Sequence, residues 1–177
     1  MGKVAGVNQG RFDTSRKIHL KSTLSPLQVD ILKSIGFREV RDASFSQGRG
    51  ISYMVYNITG ETNKHYILWN LIFDEAKKYT DMVEYHLTVL ADVAFGLENF
   101  SWVGVEVEAT KKSPKQLQPK LKMLKDHYDD WFFVVTDYDK LEHYQQFGPT
   151  YTRTHARDKI ASYFQPGYVL ESRTKLY

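Results

Sequence analysis

Residues 90–112 read LADVAFGLENFSWVGVEVEATKK, and the alternation inside this stretch decides the fold. Two β-rich runs, EYHLTVLADVAFGL and NFSWVGVEVEA, meet across residues 96–99, the spacing of a hairpin with a short loop, so they are expected to pair antiparallel. Side chains alternate along a strand. Glu106 and Glu108 therefore share one face, while Val103, Val105 and Val107 take the other, buried one. A turn near Gly96 to Asn99 brings Asp92 opposite the region of Glu106, and three acids converge.

Working outward, residues 62–79 predict a helix capped by Thr62 or Asn63, apolar nearly all round through Ile67, Leu68, Trp69, Leu71, Ile72, Phe73 and Ala76. Such a helix should be buried against a sheet. After the acids, Ser113-Pro114 opens a helical stretch with an apolar stripe of Leu117, Leu121, Leu124 and Tyr128, and Lys115, Lys122 and Lys125 lie away from it. Pro119 either kinks this helix or marks its start. WFFVVTD, residues 131–137, is a continuous apolar run of the kind found at the centre of a sheet, and its place after a helix implies a strand-helix-strand crossover. A last helix is expected from about Thr152 to Phe164. The fold class that follows is α/β, a central mixed sheet flanked by helices, over residues 62–177.

The N-terminal part reads differently. Residues 1–20 form a basic lead-in broken by Gly2, Gly6 and Gly10. Residues 21–61 hold a helix, with Ser25 as N-cap, Pro26 in the first turn, Leu27, Ile31, Leu32 and Ile35 at helical spacing and Gly36 as its stop, followed by a strand in ISYMVYNIT that ends at Gly60. A helix followed by a strand ending in YNITGE resembles the wing of winged-helix DNA-binding domains.

Composition bounds the chemistry. The chain has 177 residues, 42% of them hydrophobic, with a net charge of +3 and no cysteine. That is enough to bury one core, and it excludes disulfides, thiolate metal sites and cysteine nucleophiles, so any metal must sit on oxygen or nitrogen. Neither a signal peptide nor an apolar run long enough for a membrane span is read, and a cytoplasmic protein is expected. The small positive charge is compatible with a polyanionic partner without requiring one.

Carboxylates packed closely in an apolar fold need raised pKa values or a cation. Mg²⁺ or Mn²⁺ fits, because hard oxygen ligands suit such ions and two or three acids leave positions for a phosphate oxygen and a water, which is the chemistry of phosphodiester hydrolysis. The competing reading is an ordinary exposed strand, acids in solvent and valines inside. The Asp on the neighbouring strand and the lysines after the acids favour the first.

This combination, Ala91-Asp92 on one strand and Glu106-Val107-Glu108 on the next with a helix ahead of them, resembles the PD-(D/E)XK nuclease superfamily, which includes type II restriction endonucleases and archaeal Holliday-junction resolvases. The resemblance covers residues 62–136. It implies a restriction-endonuclease-like fold, DNA as substrate, a homodimer, and Asp92 and Glu106 as metal ligands. Two departures stand out: Ala91 replaces Pro, and Glu108 occupies the place of the Lys that orients or activates water, as it does in some restriction enzymes of the family. Glu108 is then expected as general base or additional ligand, with Lys115 as charge stabiliser. The family often adds an acid from the preceding helix, for which Glu75 is the first candidate and Asp74 the next. A looser resemblance is to replication-control proteins of mobile elements, archaeal or viral, that join a winged-helix segment to a nuclease-like core.

For nucleic-acid contacts the candidates are Lys111, Lys112 and Lys122, Arg49 in the SFSQGRG loop, and Arg153 in YQQFGPTYTRTHARDK. The histidines are scattered without ligand spacing and read as surface or hydrogen-bonded residues. Two alternatives to a nuclease are a non-catalytic DNA-binding protein and a structural or interaction module.

Overall fold

Helix α2 (Asn63–Ala76) is apolar on nearly every side because three elements cover it. In the computed structural model, which describes residues 13–45, 50–86, 90–168 and 170, it packs on a five-stranded sheet, on a C-terminal helix and on a small N-terminal sheet. Thr62 caps it by accepting from the His65 N–H, which satisfies one of the orphan donors of its first turn.

The large sheet has the order β4-β5-β6-β7-β8. The expected first strand, EYHLTVLADVAFGL, is two: β4 (Val83–Tyr85) and β5 (Val93–Gly96) pair antiparallel, and Asp92 lies immediately before β5. Strand β6 (Trp102–Glu108) pairs antiparallel with β5, and β7 (Asp130–Val135) and β8 (Thr150–Thr152) continue the sheet in parallel. Helix α3 (Pro114–His127) makes the β6-to-β7 crossover. Ser113 and Gln116 close a capping box at its start, and the helix runs on through Pro119 rather than beginning there. Helix α4 (Leu141–Gln145) precedes β8, and α5 (Arg153–Ser162) follows it. The chain is thus α/β, a mixed sheet between two helical layers.

The two faces of this sheet bury different things. Val93, Phe95, Val103, Val105, Val107, Phe132 and Val134 pack with α2 and α5, while Ala94, Trp131, Phe133 and Val135 pack with Leu117, Leu124, Tyr128 and Tyr144 from the α3 and α4 side. Phe132 and Phe133 point to opposite faces and are both fully buried, each stabilising the fold by roughly 1.5–3 kcal/mol. A strand buried on both sides reads as a continuous apolar run, and WFFVV does so for this reason.

The N-terminal segment is a three-stranded antiparallel sheet of order β1-β3-β2, built from β1 (Ile18–Leu20), β2 (Arg38–Asp42) and β3 (Ile51–Val55), with α1 (Pro26–Ser34) across it. Between α1 and β3 the described residues hold β2, so the segment has one α-helix among the described residues and not the three of a complete winged helix. Gly36, at φ +99, ends α1. The left-handed turn there lets the Phe37 and Gly36 N–H groups bond back to Leu32 and Lys33, a geometry that costs glycine nothing. Ile18, Phe45, Tyr53 and Val55 belong to the same buried cluster as α2, so the N-terminal sheet shares the main core. No helix among the described residues is long and apolar enough to cross a membrane.

Candidate active site

Both glutamates of the VEVE run are buried, Glu106 and Glu108 each at 1% exposure. The exposed-strand reading of this pattern therefore fails: the acids face inward under α3. Ionised carboxylates in such a place demand partners, and the partners define the site.

Register places the first of them. Val93 pairs with Val105, so Asp92, one residue further out, comes level with Glu106. Its Oδ2 accepts from the Val107 N–H at 2.7 Å and contacts His65 Nε2 at 3.2 Å. The Asp92 carboxylate lies near enough to Glu106 to repel its charge. Lys120 reaches in from α3: its Nζ pairs with Glu106 Oε1 and stands 3.8 Å from Glu108 Oε1. The second oxygen of Glu106 is buried with no hydrogen-bond partner.

Glu108 is held separately. Lys112 Nζ donates to its Oε1 at 2.9 Å, and the Tyr144 hydroxyl, whose one proton is shared with the Thr110 carbonyl at 2.6 Å, stands 3.0 Å from its Oε2. With both oxygens engaged, Glu108 anchors the loop into α3 and steers Lys120; it is not placed as a free base.

The charges arrange themselves unequally. Burial pushes Glu106 well above the usual carboxylate range, and repulsion from Asp92 pushes it further, against the opposing pull of Lys120. Asp92 goes the other way: burial would raise it, but the His65 hydrogen bond and charge, with Lys120 beyond, hold it below its ordinary value. For His65 burial acts to lower the pKa, and Asp92, Glu61 and Glu108 outweigh it and raise it. Burial likewise works against the Lys120 charge, and the three acids override it and hold the ammonium protonated. Two acids pushed apart in this way are a pair competing for one proton or one cation.

Among the described residues no group of three or more His, Asp and Glu side chains is placed to hold a metal ion. What fits instead is an open site. Asp92 and Glu106 offer oxygens from the residue ahead of β5 and from β6, and the orphaned Glu106 Oε2 is a buried acceptor that a divalent cation would satisfy. Mg²⁺ or Mn²⁺ commonly takes one or two carboxylates and completes its shell with water and phosphate.

Other expected residues fall elsewhere. Glu75 is buried on α2, but it pairs with Lys78 at 2.7 Å and Arg157 at 3.3 Å, and it lies roughly 15 Å along the helix from His65 at 1.5 Å per residue. It is no ligand of this site; the α2 side chain that reaches Asp92 is His65. Asp74 pairs with Arg16. Lys115 is exposed on α3, and the α3 lysine that pairs with Glu106 is Lys120. Arg153 is 4% exposed, bonded to Asp42 Oδ2 at 3.1 Å and to the Thr136 and Ser44 carbonyls, so it ties the N-terminal sheet to β7 and is not available to nucleic acid. Lys111 is exposed, Lys112 is half-buried on Glu108, and Lys122 is exposed and paired with Asp126 at 3.3 Å. Arg49 lies outside the described residues.

Sequence reasoning missed the part that Lys120, His65 and Tyr144 take in this site. For Lys120 a signal existed: it follows Leu117 by three residues and precedes Leu124 by four, which puts a lysine on the buried stripe of an amphipathic helix facing two glutamates. Comparison with protein-family models, with characterised proteins and with solved structures returned no match.

Proposed function

We propose that this chain is a metal-dependent endonuclease that hydrolyses DNA phosphodiester bonds. The observation that carries the reading is the buried Asp92–Glu106 pair with Lys120 beside it and one Glu106 oxygen left without a donor. The order of elements, a helix, an antiparallel hairpin with the Asp just ahead of its first strand and the Glu on its second, then a helix and a parallel strand, supports the PD-(D/E)XK resemblance.

In this proposal Asp92 and Glu106 hold Mg²⁺ or Mn²⁺, and the cation, when bound, polarises the phosphate and acidifies a water. His65 and the Val107 N–H fix one oxygen of Asp92. Lys120, kept protonated by the acids around it, stabilises charge developing on the phosphate instead of abstracting a proton, which supplies from a helix the cation that the strand lacks at Glu108. Lys111 and the outer lysines of α3 follow the DNA backbone. Two such sites in a homodimer would cut both strands.

One observation favours a second reading, a DNA-binding or replication-control protein without catalysis: Glu108 stands where the resemblance implies Lys, and both its oxygens are engaged. Supercoiled plasmid with Mn²⁺ separates the two. The nuclease reading expects nicking that Asp92→Ala and Glu106→Ala abolish and that Lys120→Met lowers by about 100-fold. Salt-sensitive binding without cleavage gives the protein to the second reading.

A further inference from the structure

Tyr128 is buried at the end of α3 and does two things that no packing role requires. Its ring lies flat on Gly104, where an added Cβ would stand 2.6 Å from the ring, so the strand has no room for any side chain at that position. Its hydroxyl oxygen accepts the buried Ala91 N–H at 3.2 Å. Ala91 is the residue before Asp92, and Gly104 is on the same face of β6 as Glu106. The backbone that presents one acid is therefore fixed by a side chain that crosses the strand carrying the other. Tyr128 also belongs to the helix that carries Lys120, at whose C-cap its own N–H bonds to Leu124.

We propose that Tyr128 is a positioning residue: it sets the Ala91–Asp92 backbone, and through it the Asp92 carboxylate, against Glu106 and Lys120. The proposal rests on the metal-site reading for its functional consequence but not for its geometry. Without the hydroxyl the Ala91 N–H is a buried donor with no acceptor, and the segment before β5 must shift to reach one. Asp92 moves with it, and its hydrogen bond from the Val107 N–H, 2.7 Å long, loosens, although Val107 lies three residues along β6 from Gly104, where the ring stays in place.

The test is Tyr128→Phe, which keeps the ring on Gly104 and removes one oxygen. Two measurements are made on the full chain. Amide hydrogen exchange by NMR in the metal-free protein reads the geometry: faster exchange at Ala91 and Val107, with the rest of β6 and β7 unchanged, is expected. Titration with Mn²⁺ reads the consequence, an affinity loss of roughly 10-fold as for other groups that orient a ligand from behind. Gly104→Ala, which drives the ring off the strand, should repeat the selective Ala91 and Val107 change. Unaltered Val107 protection in Tyr128→Phe, or a loss spread evenly over the sheet, overturns the proposal. If the selective exchange change appears while the unmutated protein binds no Mn²⁺, Tyr128 positions Asp92 and it is the metal-site reading that fails.

Discussion

Lys120→Met isolates the electrostatics on which the site depends. The methionine keeps most of the stem that packs beside Leu117 and Leu124, and removes the ammonium from a carboxylate that is 1% exposed. Removing one partner of a buried ion pair costs about 3–5 kcal/mol. The lower end applies, about 3 kcal/mol, because the Lys120 side chain is still 28% exposed and solvent already shares in screening it. The cost must depend on pH. Glu106 has a folded-state pKa raised above its unfolded value, so the folded protein holds a proton there that the unfolded chain releases; stability is full below the unfolded pKa and falls as pH rises toward the folded one, by ~1.4 kcal/mol per unit. Without Lys120, whose charge opposes the rise, the Glu106 pKa climbs further and the decline continues to higher pH. Urea denaturation of the wild type, Lys120→Met, Glu106→Gln and the double variant from about pH 5 to about pH 8 measures it. Lys120→Met should match the wild type near the acid limit and fall away above it, and Glu106→Gln should remove the pH-dependent difference between the two backgrounds. An equal loss at every pH, or a double variant no more stable than Lys120→Met alone, would refute the assignment of a charged, uncompensated Glu106.

Two further outcomes follow from the same geometry. Mn²⁺ binding should displace the Glu106 proton, so calorimetry in buffers of different ionisation heat should find close to one proton released per ion below the raised Glu106 pKa, with affinity rising through that pKa and levelling above it; binding without proton release would place the cation elsewhere. Arg153→Met should cost about 3 kcal/mol, since Asp42 is left buried and unpaired, and leave the salt dependence of DNA binding unchanged; a shallower salt slope would return Arg153 to the nucleic-acid surface.

The fold was legible where local chemistry and burial agreed. Ser25-Pro26 and Ser113-Pro114 each announce a capped helix, and α1 and α3 start there. The apolar run of β7 and the hairpin around residues 96–99 are equally direct. What escaped has a common cause. Strands β1, β4 and β8 are three residues long, too short to show a period, and they exist because a longer neighbour offers them hydrogen bonds. The break between β4 and β5 is of the same kind: EYHLTVLADVAFGL is β-prone throughout, and only the sheet decides that Tyr85 and Val93 pair with each other instead of continuing one strand.

The site divides along a different line. Asp92 and Glu106 could be paired from sequence because strand alternation and one hairpin constrain both, and register brings them level. Glu108 could be aligned but not assigned, because its donors, Lys112 and Tyr144, come from a loop and from a helix that the sequence places nowhere relative to β6. Lys120 shows what a pattern reading gives up when it sorts residues by polarity alone. Sorted as a lysine it joins Lys115, Lys122 and Lys125 on the solvent side of α3. Sorted by angle it stands with Leu117 and Leu124, on the face that covers β6. A charged residue is tolerated on a buried stripe only where opposite charge waits underneath, so the lysine out of place on the helix and the two glutamates out of place on the strand are one observation made twice. Each is anomalous in its own element, and each is explained by the other.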